Sequence, residues 1–233
     1  MKTSKANAKL RKLAGSIGIP RAQIQSFALS AGASCPGAVD CLAKVVINEI
    51  GKRKLKDGDQ SVFRCYAASQ EVVYTETYNM RRANFAELRD LKTEAKMAKA
   101  LLSSVSERLK VLRIHDSGDF FNKTYFRAWI RVARERPDTV FYAYTKSLPY
   151  WVDLLDEIPS NLRLTASRGG RWDYLIGAFN LPEAVVVESE EHAESLGLEV
   201  DYDDSHAYHN KGDFALVVHG SQPKGRTPLN IIN

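Results

Sequence analysis

No stretch of this 233-residue chain approaches the roughly 18 consecutive apolar residues that cross a bilayer, so no membrane partner is expected. The N-terminus is basic but has no apolar segment behind its lysines, which argues against a secretory signal and for a cytoplasmic location. Cysteine is scarce. Three residues, an odd number, with no sign of export, make a disulfide framework the wrong expectation. What remains for them is a metal site, a reactive thiol or plain burial. A Gly-x-x-x-x-Gly-Lys-Ser/Thr loop and a Gly-x-Ser-x-Gly elbow are both missing, so neither P-loop phosphate binding nor an elbow-type serine nucleophile is expected.

The apolar and charged fractions, 44% and 26%, are those of an ordinary globular protein that buries a core without staples. The net charge of +5 is unevenly spread. Residues 1–110 hold twenty Lys and Arg against ten Asp and Glu, about +10, and residues 111–233 about −5. The basic half includes Lys2, Lys5, Lys9, Arg11 and Lys12, then Lys52-Arg53-Lys54-Leu55-Lys56. Clusters of this kind suit nucleic acid as a partner, with a solvated tail and loop as the plainer reading.

Residues 1–22 read as a basic N-terminal arm with a short helix over Ala8 to Ala14, and 23–222 as a single α/β domain. Ile24 to Leu29 is expected as the first strand. Leu42 to Ile50 reads as a short helix, followed by an inserted charged loop over 51–61 turning at Asp57-Gly58. Phe85, Leu88, Leu91, Ala95, Ala98, Leu102, Val105 and Leu109 recur at helical spacing and predict one long helix. Strand-then-helix units follow. The strands are Val111–His115, Thr139–Thr145, Asn161–Ala166, Ala184–Val187 and Phe214–His219, and 223–233 is a C-terminal tail. Near-continuous apolar strands alternating with helices predict a parallel sheet, as a partial (β/α)6 TIM-like barrel or, alternatively, a doubly wound open sheet.

In such arrays the site lies at the carboxyl ends of the strands. Polar residues gather there: Cys35, then His115-Asp116-Ser117-Gly118-Asp119, Lys146, Arg168-Gly169-Gly170 and His219-Gly220. From these, His115, Asp119 and Lys146 are candidate catalytic groups. Ser117, Gly118, Asp119, Lys146, Arg168 and His219 are candidate ligand-binding residues. Asp201, Asp203, Asp204, His206 and His209 lack the ligand spacing of a known metal site and read as a solvated acidic loop.

Cys35 and Cys41 are separated by five residues across a Pro-Gly turn, and Cys65 follows Cys41 after 23 more. Zinc prefers four ligands, for which His115 would have to join the cysteines. Iron–sulfur clusters take thiolates readily, and a cubane on three cysteines leaves one iron for an outside ligand. Buried thiols with no metal are the third possibility.

The stretches Ser34-Cys35-Pro36-Gly37-Ala38…Cys41, Cys65-Tyr66-Ala67, Arg113-Ile114-His115-Asp116-Ser117-Gly118-Asp119-Phe120-Phe121, Phe141-Tyr142-Ala143-Tyr144-Thr145-Lys146-Ser147 and Val217-Val218-His219-Gly220 together resemble the bacteriophage gene product 88 family, over about residues 25–222. Members of that family place the third cysteine soon after the second, whereas here residues 42–64 intervene. More distantly, the layout is similar to that of radical S-adenosylmethionine enzymes. Those have a partial barrel, three cysteines after the first strand, an aromatic residue beside the last, and a Gly-Gly-Glu-like segment after the second strand. That likeness implies a [4Fe-4S] cluster on Cys35, Cys41 and Cys65, with S-adenosylmethionine at the open iron. Ser117-Gly118-Asp119 would hold its amino group.

Overall fold

The structure, a computed structural model, describes residues 1–220 and 222; the expected tail, 223–233, lies outside them. Its centre is a seven-stranded, mostly parallel sheet. The strands are β1 (Ser4–Lys5), β2 (Ile24–Phe27), β5 (Val111–Ile114), β6 (Val140–Thr145), β7 (Leu162–Ser167), β8 (Glu183–Val187) and β9 (Phe214–Val217). They lie side by side in that order, with β1 antiparallel and the rest parallel. The order runs one way with no reversal, so the doubly wound alternative does not apply. Nor does the sheet show a barrel: β1 and β9 are its edges.

One face is covered by α3 (Thr75–Asp90), α4 (Glu94–Ser104), α5 (Lys123–Glu135), α6 (Leu148–Val152) and α7 (Tyr174–Phe179). The strongest contributor is α5, whose apolar residues at spacings of three and four put Tyr125, Phe126, Trp129, Ile130 and Ala133 in the core. The Asn122 side chain caps it, accepting from the Tyr125 amide at 2.8 Å. Trp129 packs edge-on against Phe27 and beside Phe141, tying the helix to β2 and β6. Each such fully buried aromatic stabilises the fold by roughly 1.5–3 kcal/mol.

The long helix expected over Phe85–Leu109 is two helices. Lys92 takes a left-handed backbone (φ 52°) and the Thr93 hydroxyl caps α4, so the chain turns where the apolar period ran on unbroken. A second correction concerns the segment expected as a helix and a charged loop. It is an antiparallel hairpin, β3 (Ala43–Ile47) with β4 (Arg53–Asp57). The β-branched run Val45-Val46-Ile47 favours a strand, and Asn48 with Gly51 (φ 73°) makes the turn. The inner side of the hairpin packs on α2 (Tyr66–Val73) through Ala43, Leu55, Ala67 and Ala68.

On the other face of the main sheet lie α1 (Ala8–Ser16) and α9 (Ser205–His209), with Leu10, Leu13, Ala14, Tyr142 and Phe214 buried between. The short α8 (Glu190–Ser195) packs at the end of β8. The first twenty residues are therefore packed strand and helix.

The acidic segment Asp201–Asp204 is likewise not a solvated loop. Asp204 is fully buried and its carboxylate has four partners: Lys9 at 2.8 Å, Arg113 at 2.7 Å, and the hydroxyls of Tyr142 at 2.9 Å and Tyr144 at 3.2 Å. The pattern missed this because Arg113, Tyr142 and Tyr144 sit inside apolar strands, and their common partner is about 60 to 90 residues away.

Burial alone would raise the Asp204 carboxyl, but Arg113 and Lys9 outweigh it and hold its pKa below the ordinary value. A carboxyl depressed in the fold stabilises above its unfolded pKa of about 3.9, and that contribution is lost as pH falls through the lower folded value. Asp204→Ala also leaves Arg113 buried without its counter-charge, at a cost of about 3–5 kcal/mol. Urea unfolding near neutral pH should show that loss, and the gap between wild type and variant should shrink below about pH 4. An unchanged urea midpoint would show the network to be dispensable.

Candidate functional site

The carboxyl ends of β2, β5, β6 and β7 are stitched into one surface. At the exit of β2, Leu29 donates to the Ser117 carbonyl at 2.8 Å, and both His115 and Asp116 donate to the Phe27 carbonyl. Gly118 takes a left-handed backbone (φ 87°) so tightly packed that a Cβ there would meet the Ser34 Oγ at 2.5 Å and the Leu29 Cβ at 2.7 Å. The loop after β2, which carries Cys35 and Cys41, is thus pressed onto the loop after β5.

Its far side is fixed to β7. Val39 and Asp40 donate to the Gly169 carbonyl, and Arg171 donates back to Gly37. A Cβ on Gly37 would strike the Lys146 carbonyl, so only glycine lets the cysteine loop approach β6 this closely. The chain then leaves through the β3–β4 hairpin and returns, because the ends of an antiparallel hairpin are neighbours. Gly58 donates to Leu42, and Val62 and Phe63 both donate to the Asp40 carbonyl next to Cys41. Cys65, at the start of α2, is delivered back to the site. The 23-residue insertion leaves Cys41 and Cys65 lining the same cavity.

All three cysteines line one cavity of about 190 Å³, together with Tyr66, Arg113, His115, Asp116, Ser117, Gly118, Asp119, Lys146 and His219. Val186, Leu216 and Val217 form an apolar wall. Of the ligand-binding residues expected from the sequence, Arg168 is not part of this lining; its guanidinium pairs with Glu183 at 2.6 and 2.8 Å.

Several lining residues have structural occupations. Asp119 accepts from the Thr145 hydroxyl at 2.6 Å and from the amides of Phe120 at 2.7 Å and Lys146 at 2.8 Å. Burial raises its pKa against the pull of those hydrogen bonds. The Lys146 ammonium donates to the Ser167 carbonyl at 2.6 Å, the Ser167 hydroxyl at 3.0 Å and the Arg168 carbonyl. It ties β6 to the turn that holds the cysteine loop.

His115 is different. Its backbone is left-handed (φ 66°), a conformation that costs a non-glycine residue on the order of 1–3 kcal/mol. The bend folds its ring against Phe120 and Tyr125. Burial lowers its pKa to about 3, so the imidazole is neutral. The Tyr125 hydroxyl and Nε2 share a hydrogen bond of 2.9 Å, which leaves Nδ1 as the other ring nitrogen. That Nδ1 is buried and has no hydrogen-bond partner among the described residues. One oxygen of Asp116 also accepts no hydrogen bond; Arg81 lies 3.6 Å from it.

The thiols repel ionisation. Burial raises Cys35 well above its ordinary value, and Asp119 and the other two sulfurs add to the shift. Burial raises Cys41 too, partly offset by Lys146, and pushes Cys65 up to about 11 with help from Cys41. That mutual influence reflects three sulfurs facing one small volume. They do not share a single coordination shell: among the described residues no three His, Cys, Asp or Glu side chains are grouped closely enough to hold one metal ion.

A family profile described as "Gene product 88" matches residues 1–231, nearly the whole chain and every segment that builds this cavity. The chain belongs to the gene product 88 family. It is 28% identical over 229 residues to the Gene 88 protein of Mycobacterium phage L5, covering 95% of this chain and 78% of that protein. With the Gene 88 protein of Mycobacterium phage D29 it shares 32% identity over 160 residues, 65% of this chain and 55% of that protein. No solved structure matches. Neither the family nor these relatives carries a description that mentions S-adenosylmethionine or iron–sulfur chemistry. Among the described residues of this family member, no helix is long and apolar enough to cross a membrane.

Sequence reasoning overlooked Arg113 and Tyr144 as lining residues. An arginine inside the otherwise apolar strand Val111–Ile114 was the available signal, since a charge there needs a nearby partner.

Raised thiol pKa values predict slow alkylation of the metal-free protein at neutral pH. The rate at Cys65 should keep climbing beyond pH 9 toward about 11. Mass-spectrometric alkylation rates test this, and a plateau near the ordinary thiol pKa of about 8.5 would contradict the buried environment.

Proposed function

We propose that Cys35, Cys41 and Cys65 hold an iron–sulfur cluster, and that the cavity beside them takes a small ligand. The observation that carries this reading is the convergence of every cysteine in the chain, from separated segments, on one cavity at the strand ends. Three thiolates are the kind of donor set that iron–sulfur clusters take. A cubane presents its irons at separate corners, so its thiolates stand apart. Thiolates that repel one another also need positive charge to exist, and iron supplies it.

Three cysteines leave one iron of a cubane open to an outside ligand, and a reduced cluster of that kind supplies one electron. The residues around it sort by what they have free. His115 offers Nδ1, which has no hydrogen-bond partner among the described residues, and the Asp116 oxygen paired with Arg81 at 3.6 Å accepts no hydrogen bond. Val186, Leu216 and Val217 receive an apolar surface, and His219 lies tilted against Tyr66 with ring centroids 4.5 Å apart. Asp119 and Lys146 hold the frame. S-adenosylmethionine is the first ligand to try, with its amino group at the Ser117-Gly118-Asp119 segment of the cavity wall. Radical chemistry is the enzymatic form of this proposal, and a non-catalytic cluster protein is its simpler form.

Anaerobically purified or reconstituted protein should contain iron and acid-labile sulfide, and serine at any one of the three cysteine positions should strip most of both. Protein that stays colourless after reconstitution, or that binds one zinc ion and no sulfide, would defeat the proposal. If the cluster forms, S-adenosylmethionine should perturb its EPR signal; an unchanged signal removes that ligand and leaves the cluster.

A further inference from the structure

The β3–β4 hairpin has a charged face that the proposed cluster does not use. Its inner side, Ala43, Val45, Leu55 and Asp57, faces α2. Its outer side presents Lys44, Lys52, Lys54 and Lys56, all exposed. Lys44 lies directly opposite Lys56 in the strand register. Like charges so placed destabilise a sheet, so this arrangement works against the hairpin's own folding. None of the four lysines makes an ion pair among the described residues. Asp57 lies on the inner face, paired with Arg64 at 2.6 Å, and Glu49 sits in the turn.

The spacing is regular. Alternate residues on one face of a strand stand roughly 6.6–6.8 Å apart, about twice the 3.4 Å axial rise per nucleotide of duplex DNA. A two-stranded ribbon also fits the width of the major groove. The ribbon is anchored next to its turn, at Arg53. Arg53 donates to the Val72 carbonyl and to the Thr75 hydroxyl at 2.7 Å, and lies over the Tyr78 ring, which joins the hairpin to α2 and α3. At the tip, Ile50 is 72% exposed and offers an apolar contact to a base step.

We propose that this hairpin binds duplex DNA, with Lys44, Lys52, Lys54 and Lys56 contacting phosphates along one groove. The inference stands apart from the cluster, since the lysine face and the cavity lie on different surfaces.

The test is fluorescence anisotropy of the full chain with a short labelled DNA duplex over a salt series. Wild type should bind, with log Kd linear in log salt. The variant K44Q/K52Q/K54Q/K56Q should bind at least about tenfold more weakly and lose up to about 3.6 units of salt slope, at roughly 0.9 per phosphate contact. Its melting temperature should match or exceed that of wild type, because the opposed charges are gone. A charge-matched control, K92Q/K96Q/K99Q/K110Q, changes lysines away from the hairpin and should keep most of the affinity. No binding by wild type overturns the proposal. So does equal weakening of both variants, or binding to anionic phosphatidylserine vesicles without binding to DNA.

Discussion

Two buried polar side chains hold the site together. The Asp119 carboxylate joins the exit of β5 to that of β6 by accepting from Phe120, Thr145 and Lys146. The Lys146 ammonium joins β6 to β7 through the carbonyls of Ser167 and Arg168. Between these ties the cysteine loop is laid down in one position, with Gly37 against the Lys146 backbone and Gly118 against Ser34. Buried groups of this kind are costly unless every donor and acceptor is satisfied. Here most are satisfied, and the exceptions among the cavity-lining residues are informative: His115 Nδ1, one oxygen of Asp116 and the Arg113 Nε have no hydrogen bond among the described residues. Structure and chemistry are divided between neighbouring residues of one short segment.

That division explains which parts of the site could be read from sequence. The alternation of apolar strands with helices located the parallel sheet, and the rule that sites lie at strand carboxyl ends brought His115, Asp119, Lys146 and the cysteines to one face. Asp119 and Lys146 look like reactive groups in a sequence, because nothing local reveals the hydrogen bonds across the strand ends, two at Asp119 and three at Lys146, that occupy them. The hairpin was hidden for a different reason. Leu42 to Ile50 is short and apolar, a pattern that helix and strand share, and only the β-branched run with Asn48 and Gly51 distinguishes them. The Asp204 network was unreadable in principle, since its four partners come from Lys9, β5 and β6.

The hairpin also changes the meaning of the cysteine spacing. A long gap before Cys65 reads as a departure from a compact cluster motif. An antiparallel excursion that begins beside Cys41 returns the chain to Asp40, so Cys65 lines the same cavity. It adds a rigid ribbon whose inner face packs on α2, the helix that starts beside Cys65. The cavity and the charged ribbon therefore share one short helix as their common support.

The central claim is that the three thiols serve one polynuclear centre. A crystal grown without oxygen from iron- and sulfide-loaded protein, with diffraction recorded on both sides of the iron edge, tests it most directly. The account predicts a single anomalous iron feature in the cavity, bonded to the sulfurs of Cys35, Cys41 and Cys65 and with no protein sulfur on its remaining corner. No iron in the cavity, or a metal bonded to only two of the three sulfurs, would contradict it.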